Sequence, residues 1–144
     1  MLALADLKKG DNLPELKKSV SQENINRYAE ASRDFNPIHI DEDYARKTPL
    51  GGTIAHGMLI LAYVSQMMTA AFEHHWLSGG KLMARFKAPA RPGDTITISG
   101  EVIAVEKGDG QNRITCNLLV TNQHDEPVII GEAIVGVTNN ENSC

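Results

Sequence analysis

The segment "TIAHGMLILAYVSQMMTAAF", Thr53 to Phe72, constrains the fold more than any other part of the chain. Met58, Leu61, Ser65, Met68 and Phe72 recur at helical spacing and form one face, while Leu59, Ala62, Tyr63 and Ala70 make the opposite side nearly as apolar. A helix that is apolar all round has to be buried by other structure. The stretch from Gly57 to Phe72 is shorter than a membrane span and carries Ser65, Gln66 and Thr69, so it reads as a core helix and no membrane association is expected.

The material to wrap it lies downstream. "KLMARFK", "DTITISGEVIAVE", "NRITCNLLVTN" and "PVIIGEAIVGV" are β-rich runs, separated by the turn-forming "APARPG", "KGDGQ" and "QHDE". Ile96, Ile98, Gly100 and Val102 alternate with Thr97, Ser99 and Glu101, and Ile114, Cys116, Leu118 and Val120 alternate with Thr115 and Asn117. Strands of this kind have one buried and one wet face. With "LPELKKSV" as a fifth strand, the simplest packing is an α+β, hot-dog-like domain: a five-stranded antiparallel sheet curled around the long helix. It is expected over residues 1–138, with 139–144, "NNENSC", as an unstructured tail.

At 144 residues the chain suits one domain, and its 14 basic against 18 acidic side chains, net charge -4, leave no surface suited to nucleic acid. Cys116 and Cys144 are the two cysteines, which is neither a disulfide framework nor a metal-ligand spacing. "MLALAD" is too short for a signal-peptide core, and a cytoplasmic protein is expected.

Chemistry concentrates in "RDFNPIHID", Arg33 to Asp41. "SQENINRYAEASRD" reads as a helix capped by Ser21 and ending on Asp34, an acid set against the negative end of the helix dipole. Asn36-Pro37 then turns the chain and swings His39 back towards Asp34. Asp41 caps a short helical piece, "EDYARK". At the start of the apolar helix, with Thr53 as its candidate cap, Gly57 can offer an unpaired backbone amide to an anionic oxygen. A carboxylate, an imidazole and an amide donor are what proton transfer beside a carbonyl requires. The plainer readings are a solvated Asp34, a structural His39 and His56, a Ser65 bonded to a backbone carbonyl, and Met58, Met67 and Met68 as core filler. His74, His75 and Asp41 lack the spacing of a metal site, so no metal or cofactor is expected.

"SRDFNPIHIDEDYA", followed by "IAHGM" and an apolar helix, resembles the signature of the MaoC-like, (R)-specific enoyl-CoA hydratase family, over about residues 19–137. The resemblance implies a hot-dog fold, usually a homodimer, and addition of water to a trans-2-enoyl thioester to give the (R)-3-hydroxyacyl thioester. It implies that Asp34 and His39 are the catalytic pair, that Asn36 shapes their loop, that the Gly57 amide binds the thioester oxygen, and that Ser65 supports the catalytic loop. Many members have glycine where this chain has Arg33; arginine there either favours the helix terminus or narrows the entrance. Arg85, Lys87 and Arg91 are solvated charges or contacts for the phosphates of CoA or a carrier arm. The alternatives are a dehydratase acting on acyl carrier protein, a hot-dog thioesterase, and a non-catalytic protein that only holds an acyl thioester.

Overall fold

The computed structural model describes residues 2–139. A 3₁₀ turn, Leu4–Asp6, leads into strand β1 (Leu16–Ser19), helices α1 (Gln22–Ser32), α2 (Pro37–Ile40) and α3 (Glu42–Arg46), the long helix α4 (Gly57–Phe72) and the short α5 (His74–Gly79). Strands β2 (Lys81–Phe86), β3 (Thr95–Glu106), β4 (Gln111–Thr121) and β5 (Pro127–Thr138) follow. They form one antiparallel sheet in the order β1-β3-β4-β5-β2, with β1 and β2 at its edges. The four-residue β1 covers the fourth to seventh residues of the fifth strand expected from the sequence, and the sheet curled on α4 is the expected hot-dog arrangement.

The strand alternation decides which face meets the helix. Ile96, Ile98 and Val102 of β3, Ile114, Cys116, Leu118 and Val120 of β4, and Ala133, Val135 and Val137 of β5 are all buried. They enclose Leu59, Ile60, Val64, Met67, Met68, Ala71 and Phe72 of α4 in one core. Burial at this density is the main favourable term in folding. It also pushes the Cys116 thiol up to about 12, so it stays protonated and unreactive at neutral pH.

The expectation of a helix wrapped all round is corrected by the structure. Met58, Ala62, Gln66 and Ala70 recur every fourth residue and form an exposed stripe along α4. Alanines tolerate solvent well, so the apolar count overstated the burial this face requires. The tail expected at 139–144 lies outside the described residues beyond Asn139. Asn139 itself is tied down: its amide N–H donates to the Gly110 carbonyl at 3.0 Å and its side chain to the Gly108 carbonyl at 2.9 Å. No helix among the described residues is long and apolar enough to cross a membrane.

Phe72 is fully buried at the end of α4, where the helix meets the sheet. Phe72→Ala is expected to cost roughly 3–5 kcal/mol of unfolding free energy in urea titration, the range for deleting a buried aromatic ring.

Candidate active site

The site begins where α1 stops. Ser21 caps α1 as expected, its hydroxyl accepting from the Asn24 amide at 3.1 Å. The helix ends at Ser32, however, and Arg33 takes the left-handed conformation at φ 64° and ψ 21°. Asp34 therefore lies beyond the helix, not on its last turn as the sequence suggested, and its carboxylate does not extend the last turn. A side chain with a Cβ is disfavoured in this conformation by about 1 kcal/mol, a cost that glycine avoids. This is a backbone reason for glycine to suit the position of Arg33.

From Asp34 the chain folds on its own polar groups. Asp34 Oδ1 accepts from the Asn36 amide at 3.2 Å, Asn36 Oδ1 accepts from the Ile38 amide at 3.2 Å, and the His39 amide donates to the Asn36 carbonyl at 3.0 Å. Asn36 thus caps α2, with Pro37 at its first position where a missing N–H costs nothing. One turn of α2 returns His39 to Asp34. His39 is 8% exposed while Asp34 is exposed, so the pair straddles the surface.

The state of each imidazole follows from its partner. His39 Nδ1 lies 2.8 Å from the Ile54 carbonyl, which can only accept, so Nδ1 carries the proton and Nε2 of the neutral ring has a free lone pair. His56 Nε2 is 3.0 Å from the Asp34 carbonyl and donates to it for the same reason. That leaves His56 Nδ1 buried with no partner among the described residues. A buried polar atom left unpaired costs roughly 1–3 kcal/mol. The two rings stack, with centroids 3.9 Å apart and planes 25° from parallel, and Tyr28 packs edge-on to His56 at 4.8 Å.

Each of Asp34, His39 and His56 offers a potential ligand atom within 4.8 Å of the others, a cluster that no sequence spacing announced. In type it is a metal-ligand set. One nitrogen of each ring is already bonded to a main-chain carbonyl, which leaves His39 Nε2 and the buried His56 Nδ1. The arrangement suits proton transfer better than coordination.

Segment 54–57 joins these imidazoles to an apolar groove. Its backbone is fixed by bonds from the Ile54 amide to the Ile38 carbonyl at 3.1 Å and from the Ala55 amide to the Ala90 carbonyl at 2.7 Å. The groove, about 350 Å³, is lined by Leu50, Ile54, Gly57, Ile60, Phe86 and Val128 among others, with Lys87 also on its wall. A larger hollow of about 750 Å³ lies across the sheet among Met83, Arg85, Glu101 and Glu132, and none of the acid-base groups line it. The smaller groove is the one that adjoins the imidazoles. Arg85 is thereby separated from the groove that Lys87 borders.

Gly57 opens α4, and neither its amide nor that of Met58 has an acceptor among the described residues. The Phe86 ring lies 3.0 Å from where a Cβ on Gly57 would stand, so glycine is what lets the ring close over this helix end. Thr53 does not cap α4. His56 occupies that position and makes no side-chain cap bond.

Thr53 has another task that the sequence did not disclose. Its amide donates to Glu42 Oε2 at 3.1 Å, and its hydroxyl lies 3.0 Å from the same oxygen and 2.7 Å from Gln22 Oε1. Gln22 in turn donates to the His39 carbonyl at 2.7 Å. A polar brace from α1, α3 and the loop before α4 therefore holds the turn that carries His39. Asp41 caps α3 as expected, accepting from the Tyr44 amide at 3.0 Å. Ser65 lies about 12 Å along α4 from Gly57, eight residues at the helical rise. Its hydroxyl accepts from the Trp76 indole at 3.0 Å, and its carbonyl from Thr69 Oγ1 at 2.8 Å. It ties α5 to α4 and makes no bond to the loop 34–39 among the described residues.

Known proteins resemble this chain in sequence and in fold. Residues 8–126 match the family model described as the MaoC like domain. The chain is 35% identical to a Rhodospirillum rubrum protein named (R)-specific enoyl-CoA hydratase, over 92% of this chain and 89% of that protein. It is 33% identical to an Arabidopsis thaliana protein named mitochondrial 3-hydroxyacyl-[acyl-carrier-protein] dehydratase, over 88% of this chain and 75% of that one. The solved (R)-hydratase from A. caviae superposes with a TM-score of 0.77 at 27% identity, covering 90% of this chain and 96% of the other.

The brace has a measurable pH signature. The Thr53 amide, then its hydroxyl, hold the Glu42 carboxyl below the usual glutamate range, with help from Arg46. A depressed folded-state pKa contributes stability that is present above the unfolded value and is lost as pH falls through the folded one. Glu42→Gln is therefore expected to lower the urea midpoint at about pH 7 and to differ less from wild type at about pH 3, below the carboxylate range. An unchanged gap between the two pH values would contradict the bond to Thr53.

Proposed function

We propose that this chain, which belongs to the MaoC-like domain family and is a hydro-lyase, adds water reversibly to a trans-2-enoyl-CoA to form the (R)-3-hydroxyacyl-CoA. The observation that supports this reading best is the lone pair on His39 Nε2, left free because Nδ1 is committed to the Ile54 carbonyl, beside the Asp34 carboxylate. Asp34 Oδ1 is engaged by the Asn36 amide, and its other oxygen is available to a water. The carboxylate orients that water and His39 Nε2 removes one of its protons as the oxygen bonds to the β-carbon. Electron density moves through the α-carbon to the thioester carbonyl, whose oxygen accepts from the free Gly57 amide at the positive end of α4. The proton held on His39 then passes to the α-carbon, so the elements of water add from one face of the double bond. The apolar groove beside Gly57 takes the acyl chain, and Lys87 at its wall suits the phosphates of the thiol carrier. Asn36 and the Gln22–Thr53–Glu42 brace hold the loop, and Ser65 ties α5 to α4 through Trp76.

A thioesterase would use the same water against the carbonyl carbon and release free thiol, and a mere binder would need no paired acid and imidazole. General acid-base groups contribute ~10²–10⁴ in rate, so Asp34→Asn and His39→Ala are each expected to lower kcat for crotonyl-CoA at least about a hundredfold, with the fold intact by circular dichroism. The wild-type product, resolved on a chiral column, is expected to be the (R) enantiomer. Near-normal turnover by either variant would sink the pair as catalysts, free thiol would reassign the reaction, and the (S) product would overturn the stereochemistry. Comparing rates on CoA and acyl-carrier-protein thioesters decides the carrier.

A homodimer belongs to the same proposal. Among the described residues strand β2 hydrogen-bonds only to β5, and Met83 and Phe86 on it are 63% and 54% exposed. A free apolar edge of this kind is a hazard that pairing with a second copy removes. Light scattering is expected to give twice the 15.7 kDa of the chain, and a monomer at working concentration would refute it.

A further inference from the structure

We infer that His56 is a positioning residue for the acid-base pair. The inference rests on the hydratase reading of the site, in which His56 itself touches neither water nor substrate. It is 2% exposed and touches both members of the pair. Its ring stacks on His39 at 3.9 Å, its Nε2–H holds the backbone carbonyl of Asp34 at 3.0 Å, and its own backbone leads directly into the Gly57 amide. Tyr28 of α1 closes the other side of the ring.

The unpaired Nδ1 is the informative detail. Filling this space alone does not call for Nδ1, which the pose seen here buries without a partner among the described residues, while Nε2 holds Asp34. Native proteins keep such an atom where something else is gained by the pose. What is gained here is one rigid ring that sets the angle of the His39 imidazole and the height of Asp34 at the same time. Tyr28 and His39 fix the ring plane, the Asp34 carbonyl fixes its rotation, and Nδ1 is left unpaired as the result.

The test separates position from packing. His56→Phe keeps a ring between Tyr28 and His39 but donates nothing to Asp34. It is expected to lower kcat at least about tenfold, in line with the effect of small misplacements of reacting groups, with KM changed by less than about threefold and with the protein still folded, by circular dichroism, at the assay temperature. His56→Gln, whose amide can supply an N–H near the position of Nε2, is expected to recover part of kcat. If His56→Phe does not fold, His56→Met against His56→Gln makes the same comparison, with and without a donor. A donor-free variant with wild-type kcat overturns the inference, as does a loss of kcat that follows only a falling thermal midpoint and is not relieved by glutamine. Wild-type protein that hydrates no enoyl thioester overturns the proposed function instead.

Discussion

The structure depends on one burial: the inner face of α4 pressed into the concave side of the sheet. Seven residues of that helix are buried, from Leu59 near its start to Phe72 at its end. With its body fixed by close packing, the helix can leave its first two residues at the surface without unravelling. Gly57 is exposed there, its amide unpaired, and the segment just before it is stitched to Ile38 on one side and Ala90 on the other. Hydrophobic packing thereby gives a stable position to backbone groups that are themselves unsatisfied.

The Asn-Pro turn is anchored to that helix start by two imidazoles. His39 reaches to Ile54 and His56 reaches back to Asp34, so the segments 34–39 and 54–57 each donate one ring bond to the other's backbone. Neither segment would hold its geometry alone, since α2 is a single turn and short helices are marginal in isolation. The Gln22 and Thr53 contacts close the same arrangement from behind. Order at the site is therefore cooperative: it arises from crossed bonds between two loops and only indirectly from the core.

What could be read in the sequence was local. The strands announced themselves by alternation, α4 by its apolar periodicity, and the approach of His39 to Asp34 by the proline that forces a turn between them. Ser21 and Asp41 were recognisable as caps because their partners lie three residues on. Where the reading fell short, the deciding contact lay far along the chain or in the backbone. Thr53 passed for a helix cap because its partners, Glu42 and Gln22, are 11 and 31 residues away. The stacking of His56 on His39 has no sequence signature. Asp34 was assigned to the end of α1 because no pattern of side chains declares that Arg33 will adopt a left-handed conformation. The exposed stripe on α4 escaped because alanine counts as apolar while demanding little burial.

The bonds that fix both imidazoles end on main-chain carbonyls, those of Ile54 and Asp34, and the carboxylate of Asp34 is held by a main-chain amide. A carbonyl is the same acceptor whatever side chain stands on its residue. Substitution at position 54 can thus reshape the wall of the groove without altering the bond that selects the His39 tautomer. In evolutionary terms, the acid-base geometry and the substrate surface are written in different parts of the same residues, so descendants of one ancestor can diverge in what they accept while keeping how they react.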